Sequence, residues 1–396
     1  MKLEDVCELI VDCPHSTAKD EGIGVPLVRT PNVGKGRLVY DGMHRVSEEV
    51  YKKRIARAIP QPGDLIFARE APAGNVALIQ EGERVCLGQR TVLIRPNREK
   101  VNPNYLVYYL LSPKQQHELV CTANGATVAH VNMPNIRGLK ISLPSLAKQQ
   151  EIGGMLTAYD ELIANCKKEI GLLEEAAQRI YREWFVNFRF PGRVIGSPLS
   201  EPAEKESTTF TDGLPDGWQE TTLGEIAPFK KGKVVTKSSI GEGNIPVIAG
   251  GLGPAYYTDK SNTSNRVITI SASGANAGFT RMYFEPVWAS DCSFIDSTTT
   301  NEIFFVYCFL KNNIKAINNL QKGSAQPHVY AKDVNALAIL CPTQEILTEF
   351  TRLVTPYFDS IAQNEKRIAL LTEARDRLLP KLMSGEIDVE QLSKIE

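Results

Sequence analysis

A regular spacing of apolar residues defines two long stretches of this chain. From Ile152 to Trp184, apolar side chains recur alternately every four and three residues, with Lys, Glu and Arg between them. The same spacing returns 198 residues later, from Phe350 to Leu382, where Asn364 and Arg375 interrupt it. A heptad spacing of this kind predicts a long helix with one apolar seam. The chain therefore contains one long helix twice.

Two helices of similar length favour pairing with each other, although a helix packed on its own globular domain would show the same spacing. Because the second helix follows the second domain, we expect an antiparallel pair related by a pseudo-twofold axis. Asn364 on the seam could fix the register of such a pair. The predicted seam comprises Ile152, Leu156, Tyr159, Ile163, Ile170, Leu173, Ile180, Phe350, Val354, Tyr357, Ile361, Asn364, Ile368, Leu371 and Leu378.

The repeat also extends upstream of each helix at the same offset. His130 corresponds to His328 and Pro144 to Pro342, which predicts a tandem duplication of a globular domain followed by a helix. A repeat of this length is far longer than a solenoid unit. The predicted segments are a first globular domain (1–144), a central long helix (145–190), a connector (191–213), a second globular domain (214–342), and a distal long helix with a C-terminal tail (343–396).

Short β-branched runs separated by Gly, Pro and Asn predict strands in both domains. The fold class is therefore α+β, with two mixed, strand-rich domains separated by a pair of long antiparallel, coiled-coil-like helices. Leu139, Ile141 and Leu143 alternate as in a half-buried strand. Pro103 predicts the start of a short helix, and Pro380 should interrupt the second long helix.

The composition is that of a globular protein, with 42% apolar and 23% charged residues. No long uncharged apolar run predicts a membrane span or a secretion signal. The eight cysteines form no CxxC pair; Cys13 and His15 alone would make a poor zinc site, so packed, reduced thiols are the preferred interpretation. Reduced thiols predict a cytoplasmic location.

The net charge of −1 is distributed unevenly. Residues 1–144 carry +4, residues 214–342 carry +1, and the helices with the connector carry −6. A polyanion would therefore meet the globular domains rather than the helices.

Polar residues in the domain loops are candidates for contact with nucleic acid. Arg and Lys suit phosphates and guanine edges, while Asn and Gln suit adenine. Taken singly, each is more often a solvated surface residue, and the clusters KKRIAR and FKKGKVVTK are the strongest signals. The candidates are His15, Ser16, Arg29, Asn32, Lys35, Arg37, Lys52, Lys53, Arg54, Arg69, Gln89 and Arg90 in the first domain, and Lys230, Lys231, Lys233, Lys237, Arg266, Ser273, Asn276, Arg281, Lys322 and Gln326 in the second.

Motifs of catalysis are missing from the sequence. No phosphate-binding GxxxxGK[ST], HExxH, GxSxG or GxGxxG motif occurs. The run Asn102-Pro103-Asn104-Tyr105 is similar to the Asn-Pro-Pro-Tyr of adenine-N6 methyltransferases, but a helix start explains it better. His130 and His328 have no Ser, Cys or acid at catalytic spacing. We interpret them as polar residues packing the loop before each helix, with contact to nucleic acid as the alternative.

With these elements in place, the chain resembles the DNA-specificity subunit of type I restriction-modification enzymes. The matching residues are DCPHST, GVPLVRTPNVGKG and PGDLIFARE in the first domain, and LPDGWQETTLGEIA, SGANAGF and VWASDCSF in the second. LPSLAKQQEI, YREWFVNF and LLPKLMSGEI match at the helix ends. The first domain lacks an LPDGW-like start, and PTQEILTEF replaces the Gln-rich start of the first helix, so the two partner contacts need not be equal.

The resemblance implies two target-recognition domains, each recognising one half of a bipartite site in double-stranded DNA. It also implies two methyltransferase (modification) subunits, which bind S-adenosylmethionine and methylate adenine at N6, and an optional restriction subunit that uses ATP and Mg. This chain itself would hold no cofactor, metal or catalytic residue. Half-sites on one face of B-DNA lie about 34 Å apart, and a helix of about 36 residues spans on the order of 54 Å. We therefore expect helix length to set the spacer.

Two hypotheses of other classes remain open at this stage. The first is a coiled-coil scaffold whose domains bind protein or carbohydrate instead of DNA. The second is a self-sufficient adenine methyltransferase, which the missing motifs disfavour.

Overall fold

The computed structural model of the chain describes residues 1–121, 130–190, 210–211, 214–235, 243–323 and 326–389. Its contacts divide the chain into two compact units. The first unit comprises Met1–Lys167 and Lys366–Glu396, and the second comprises Lys168–Glu365. Each unit therefore contains one globular domain and part of each long helix.

The first unit contains a four-stranded sheet and a three-stranded sheet. The four-stranded sheet has the order β1-β7-β4-β5, with every neighbouring pair antiparallel. The three-stranded sheet has the order β3-β2-β6, in which β2 and β6 are parallel. The strands are β1 (Cys7–Asp12), β2 (Val25–Val28), β3 (His44–Val46), β4 (Leu65–Ala68), β5 (Val76–Leu78), β6 (Cys86–Leu87) and β7 (Thr91–Pro96).

Four short α-helices complete the part of the first domain that the structure describes. They are α1 (Glu48–Arg54), α2 (Pro103–Leu111), α3 (Pro113–Cys121) and α4 (Met133–Arg137). Pro103 begins α2 as predicted, because a proline at the first helical position sacrifices no hydrogen bond. The Asn102 side chain caps this helix by accepting a bond of 3.0 Å from the N–H of Tyr105. Apolar residues of α2, β4 and β7 form the core of this unit, together with Ile152 and Leu382 of the long helices.

The second unit repeats this sheet plan. Its four-stranded sheet has the order β11-β17-β14-β15, and its three-stranded sheet has the order β13-β12-β16 with β12 and β16 parallel. The strands here are β8 (Phe210–Thr211), β9 (Leu214–Pro215), β10 (Gln219–Thr222), β11 (Lys230–Lys231), β12 (Ile245–Ile248), β13 (Pro254–Thr258), β14 (Val267–Ser271), β15 (Thr280–Tyr283), β16 (Trp288–Ala289), β17 (Cys292–Ile295) and β18 (Ala338–Cys341).

The two long helices are α5 (Leu146–Phe185) and α10 (Gln344–Ser384). Between them in sequence lie α6 (Leu223–Ile226), α7 (Ile303–Asn312), α8 (Ile314–Asn319) and α9 (Ala331–Asn335). A core rich in aromatic residues packs α7 against both long helices in the second unit, where Phe305, Phe185 and Phe350 form edge-to-face contacts.

The long helices run antiparallel within each unit. In the first unit Lys148 pairs with Asp388, while Asp160, three turns further along α5, pairs with the earlier Arg375. In the second unit Trp184 packs on Phe350 at 5.9 Å. Every residue of the predicted seam is buried or half-buried, whereas Leu162, Leu172 and Leu370 off the seam are exposed. The prediction of a mutually paired helix repeat in an α+β fold is confirmed.

Two local predictions were wrong. The helix continues through Pro380 to Ser384 and ends before Gly385, whose φ is +77°; packing of Leu382 in the core holds the last turn despite the missing N–H donor. Residues 139–143 form no strand; Lys140 makes a single bridge with Lys2, which is the equivalent of the Thr222–Ala338 pair between β10 and β18 in the second unit.

Most of the predicted connector (191–213), the end of the tail (390–396) and Lys237 lie outside the described residues. The predicted domain bounds remain a prediction. No helix in the described part of the chain combines the length and apolar character needed to cross a bilayer.

Candidate nucleic-acid interface

One end of the four-stranded sheet in the first unit carries a series of paired charges. Strand β1 ends there at Asp12, Arg69 directly follows β4, and Arg90 directly precedes β7. Nη1 of Arg69 lies 2.9 Å from Oδ2 of Asp12, and its Nη2 lies 2.7 Å from Nε2 of His130. The antiparallel order of the sheet brings these three chain segments together.

The series continues outward from His130. Its Nδ1 bonds a carboxylate oxygen of Glu70, and the other oxygen of Glu70 lies 2.8 Å from Nη1 of Arg90. On the other side, Nε2 of His15 lies 3.2 Å from Oδ2 of Asp12. We call Asp12, His15, Arg69, Glu70, Arg90 and His130 the first polar cluster.

Two members of this cluster point to solvent. The side chains of His15 and Arg90 are 71% and 61% exposed, whereas that of Glu70 is 14% exposed. Arg90 also has a φ of +63°, a left-handed conformation that costs a non-glycine residue free energy. The fold thus holds the guanidinium of Arg90 at the surface, next to paired charges that are largely buried.

The same end of the sheet in the second unit is built from different residues. The Ser273 hydroxyl donates to Asp291, and Nδ2 of Asn276 donates to the Gly250 carbonyl over 3.3 Å. The exposed Lys231 and Lys233 lie alongside, since the N–H of Lys233 donates to the Ala289 carbonyl over 2.9 Å. We call Lys231, Lys233, Ser273, Asn276 and Asp291 the second polar cluster.

Backbone hydrogen bonds establish which positions correspond. The N–H of Arg69 donates to the Arg90 carbonyl in the first unit, as that of Ala272 donates to the Asp291 carbonyl in the second. Arg69 is followed by Glu70, which pairs with Arg90. Ala272 is followed by Ser273, which donates to Asp291. Arg90 and Asp291 are therefore equivalent by position and opposite in charge.

The edge strands show a second reversal of charge. Asp12 pairs with Val92 of β7, and Lys231 pairs with Ser293 of β17. Val92 and Ser293 oppose Phe67 and Ile270, which occupy the same place in β4 and β14. Asp12 in one domain thus corresponds to Lys231 in the other.

Most of the remaining predicted residues are exposed on their domains. Lys53 pairs with Glu49 at 2.6 Å on α1, and Lys322 pairs with Asp333 at 2.8 Å. Gln89 is half-buried and donates to the His15 carbonyl over 2.7 Å. The other exposed candidates are Ser16, Lys35, Lys52, Lys230 and Gln326.

Four predicted residues support the first domain from within. Asn32 is 1% exposed, and its amide nitrogen donates to the Val39 carbonyl over 3.1 Å. Arg54 is buried and donates to the carbonyls of Leu87 and Ser16. Arg69 is buried within the first polar cluster, and Arg29 donates to the Gly42 carbonyl over 3.1 Å. Because the hydrogen bonds that these side chains donate end on the domain itself, we assign them a positioning role.

Three predicted arginines face acids of the long helices. Arg37 lies 3.8 Å from Glu161, and Arg266 lies 3.0 Å from Asp359. Glu161 and Asp359 are separated by the repeat offset of 198 residues, so the same helix position binds an arginine in each unit. The third, Arg281, lies 3.3 Å from Glu365. These arginines fasten a domain to its helix.

Sequence inspection missed the acidic members of the clusters. Asp12, Glu70 and Asp291 are not among the candidates, because an acidic residue in a loop gives no sign in the sequence that it belongs to a surface for a polyanion. His130 lies before α4 and bonds Arg69 and Glu70, both far away in sequence. His328 stacks on Tyr330 with ring centroids 6.0 Å apart.

Burial keeps several of the described cysteines in the protonated form. Seven described cysteines are unpaired, and burial raises the pKa of Cys86 to about 11 and that of Cys292 to about 12. Such thiols stay protonated and make poor nucleophiles. Among the described residues, no three His, Cys, Asp or Glu side chains are grouped to hold a metal ion.

Comparison with known proteins identifies the family. The model of the type I restriction modification DNA specificity domain matches residues 1–175 and 215–373. The chain belongs to this family. It is a specificity subunit that takes part in DNA target recognition and is not itself a catalytic chain, as the resemblance predicted.

Individual relatives cover nearly the whole chain. The type I restriction enzyme MjaIX specificity subunit of Methanocaldococcus jannaschii is 28% identical, covering 99% of this chain and 94% of the relative. The HindI specificity subunit of Haemophilus influenzae is 21% identical and covers 84% and 88%. The crystal structure of a type I restriction-modification S subunit from M. genitalium matches with a TM-score of 0.55 and 18% identity over 96% and 95%. This last likeness supports the fold alone.

Proposed function

We propose that each domain of this specificity subunit recognises one half of a bipartite DNA site through the polar cluster at its sheet end. The observation that carries the proposal is the pair of equivalent sheet ends, whose backbones match while their charges are reversed. Two copies of one scaffold with different side chains suit a protein that must bind two different half-sites. The helix length is proposed to set the spacer between them.

Exposed lysines and polar side chains around the clusters would contact the phosphate backbone. Lys231 and Lys233 lie on the segment whose backbone bonds the carbonyls of Ala289 and Cys292, next to Asp291 in sequence, and Lys52 and Lys53 lie on α1 of the first domain. Phosphate contacts supply affinity and fix the position of the protein without distinguishing sequences. Other side chains of the clusters, such as Arg90 and Asp291, are then available for base edges.

The partners follow from the family resemblance. Two modification subunits would bring S-adenosylmethionine and methylate adenine at N6, and a restriction subunit would supply ATP- and Mg-dependent cleavage. A cytoplasmic location, predicted from the cysteines, fits a protein that acts on chromosomal DNA. Family membership does not support the alternative of a scaffold with domains that bind something other than DNA.

A self-sufficient methyltransferase is disfavoured by the geometry at Asn102. The Asn102 side chain is occupied in capping α2, and its backbone N–H donates to Oε1 of Gln149 over 2.9 Å. Its side-chain oxygen is thus engaged in helix capping. The similarity of this run to a methyltransferase motif is explained by the start of a helix.

Salt-dependent binding by the assembled complex tests the DNA-binding surface. Replacing Lys231 and Lys233 by Gln should weaken binding to all duplexes and lower the slope of log affinity against log salt by about 2, roughly one unit for each phosphate that a lysine no longer neutralises. Filter binding at several salt concentrations measures this slope. Lys260→Gln, an exposed lysine elsewhere in the second domain, is the control, and an unchanged slope in the double variant would remove these lysines from the surface.

A further inference from the structure

In each four-stranded sheet, one inner strand lies beside the first edge strand. The residue just before that inner strand differs in chemistry between the two domains. Arg90 occupies this position before β7, and Asp291 occupies it before β17. Their carbonyls accept equivalent backbone bonds, of 2.9 Å from Arg69 and 3.1 Å from Ala272. The fold therefore presents a donor side chain in one domain and an acceptor side chain at the same place in the other.

Each of these side chains is held by a residue from a second equivalent position. Glu70 pairs with Arg90 at 2.8 Å, and the Ser273 hydroxyl donates to Asp291. Glu70 is in turn bonded by His130. A side chain that is already hydrogen-bonded to a neighbouring residue loses little conformational entropy when it binds a ligand. This favours specific recognition over non-specific electrostatic attraction.

Exposure and backbone conformation single out Arg90 within its cluster. Its side chain is 61% exposed although its partner is largely buried, and its φ of +63° is an observed departure from the regions that non-glycine residues prefer. Departures of this kind concentrate at binding sites, where the surrounding structure imposes them. A guanidinium presented in this way can donate two parallel hydrogen bonds to O6 and N7 of guanine.

Asp291 carries the opposite charge to Arg90 and lies near exposed lysines. The exposed Lys231 and Lys233 lie beside it, since the Gly232 N–H between them donates to the Cys292 carbonyl over 2.8 Å. A carboxylate opposes phosphate binding, so in a DNA-binding surface it contributes selectivity rather than affinity. The base group that a carboxylate in the major groove accepts from is the N4 amino group of cytosine.

We propose that Arg90 and Asp291 are equivalent specificity-determining residues, with Arg90 contacting a guanine in one half-site and Asp291 a cytosine in the other. Glu70 and Ser273 are their positioning residues. This inference rests on the proposed function and adds to it the class of base that each domain selects.

The test uses the full chain produced with its own modification subunit, and the methylated motif is determined by sequencing the host genome. The unaltered complex should methylate a bipartite motif with a required G·C pair in each half. In Arg90→Gln the preference for guanine at one position should fall by about ten- to hundred-fold, with adenine accepted there, because Gln suits adenine. Asp291→Asn should relax one position of the other half-site alone.

Matched controls separate base contact from general effects of charge. Arg84 is an exposed arginine of the first domain that is ion-paired with Glu48 at 2.6 Å, and Asp259 is an exposed acid of the second. Arg84→Gln and Asp259→Asn should leave the motif unchanged. If Arg90→Gln does not assemble, Arg90→Lys retains the charge but lacks the two-pronged donor, and its guanine preference should still fall.

Distinct results would overturn this inference and the proposed function. A bipartite motif that stays the same in Arg90→Gln and Asp291→Asn, or in Arg90→Lys where Arg90→Gln does not assemble, would remove these residues from base recognition. A motif with no G·C pair in one half would do the same for the residue assigned to that half. If the unaltered complex methylates no bipartite motif, the proposed function itself fails.

Discussion

The first and second units join a domain to the long helices through different chemistry at equivalent positions. Asp160 and Arg375 form an ion pair in the first unit, and Tyr108 donates to Asp160 over 2.7 Å. At the repeat offset of 198 residues, the second unit has Phe358 in place of Asp160 and Ala177 in place of Arg375. There Phe358 stacks on Phe304 of α7, with ring centroids 4.4 Å apart.

This difference shows that one scaffold can be closed by polar or by apolar contacts. In the second unit, stacked rings fill the space between the domain and the long helix. Their contribution to the free energy of unfolding grows with the apolar area that they bury. In the first unit, the carboxylate of Asp160 is 4% exposed and must be paired to be tolerated. The polar contact also leaves no room for a side chain at position 36. Gly36 approaches Asp160 so closely that a Cβ there would lie 2.4 Å from the carboxylate oxygen of Asp160.

The largest effect is expected from Phe358→Ala. Removal of a ring that is 1% exposed should lower the free energy of unfolding by about 3 to 5 kcal/mol, through reduced burial and a residual cavity. Urea denaturation followed by circular dichroism measures the loss. Leu172→Ala, at an exposed site on α5, is the control and should change stability by less than about 0.5 kcal/mol. An equally small effect of Phe358→Ala would show that the ring does not close the second unit.

Arg375→Ala should follow, at about 3 kcal/mol, because it leaves the buried Asp160 carboxylate without its cation. The value is placed at the low end of the usual range since Tyr108 still donates to the carboxylate. The double variant Asp160→Leu with Arg375→Leu should recover most of the loss, because no buried charge remains. A double variant as unstable as the single one would contradict the comparison. Both are measured by urea denaturation.

A third test concerns the charge reversal between Arg95 of β7 and Asp296, the equivalent residue directly after β17. Arg95 donates to the buried Asp64 over 2.7 and 2.8 Å. Burial favours the neutral form of Asp296, but the bonds that it accepts from Ser264 and Thr298 outweigh burial and hold its pKa below the usual range. Asp296→Asn should cost about 1 to 2 kcal/mol near neutral pH.

The pH dependence of this cost has a definite sign. A carboxyl whose folded pKa is lowered stabilises the protein above its unfolded pKa of about 3.9, and this contribution is lost as pH falls through the folded pKa. The difference between the original chain and Asp296→Asn should therefore shrink at acid pH. Thermal midpoints measured from pH 7 to pH 3 provide the test, and a constant difference would argue against the charged form as the cause.

The smallest effects are expected at Arg37 and Arg266, which face equivalent acids on the two long helices. Their pairs with Glu161 and Asp359 are partly exposed, so Arg37→Gln and Arg266→Gln should each cost less than about 1 kcal/mol, and less in high salt. The shorter pair of Arg266 should show the larger change. Thermal midpoints at low and high salt measure both, and a DNA-binding role beyond fastening would appear as a loss of affinity larger than the loss of stability.

Sequence inspection succeeded where the physical signal was local and periodic. The seam from Ile152 to Leu378 follows from a spacing that any packed long helix must satisfy, and α2 begins at Pro103 because proline fits a first helical turn. The prediction at Pro380 was wrong because tertiary packing of Leu382 outweighed a local preference. The domain surfaces were harder to predict, since an arginine on a loop looks the same whether it faces solvent, a helix or its own backbone.

The sequence by itself determined the duplication, the two long helices, the strand-rich domains and the family. Each of these is written in spacing, composition or short runs of residues. Only the tertiary structure decided that Arg37, Arg266 and Arg281 face helix acids, that Asn32, Arg54 and Arg69 support the first domain, and that Arg90 and Asp291 occupy one position. Those relations depend on which distant strands pair and in what register, and pairing between residues far apart in sequence leaves no local pattern to detect.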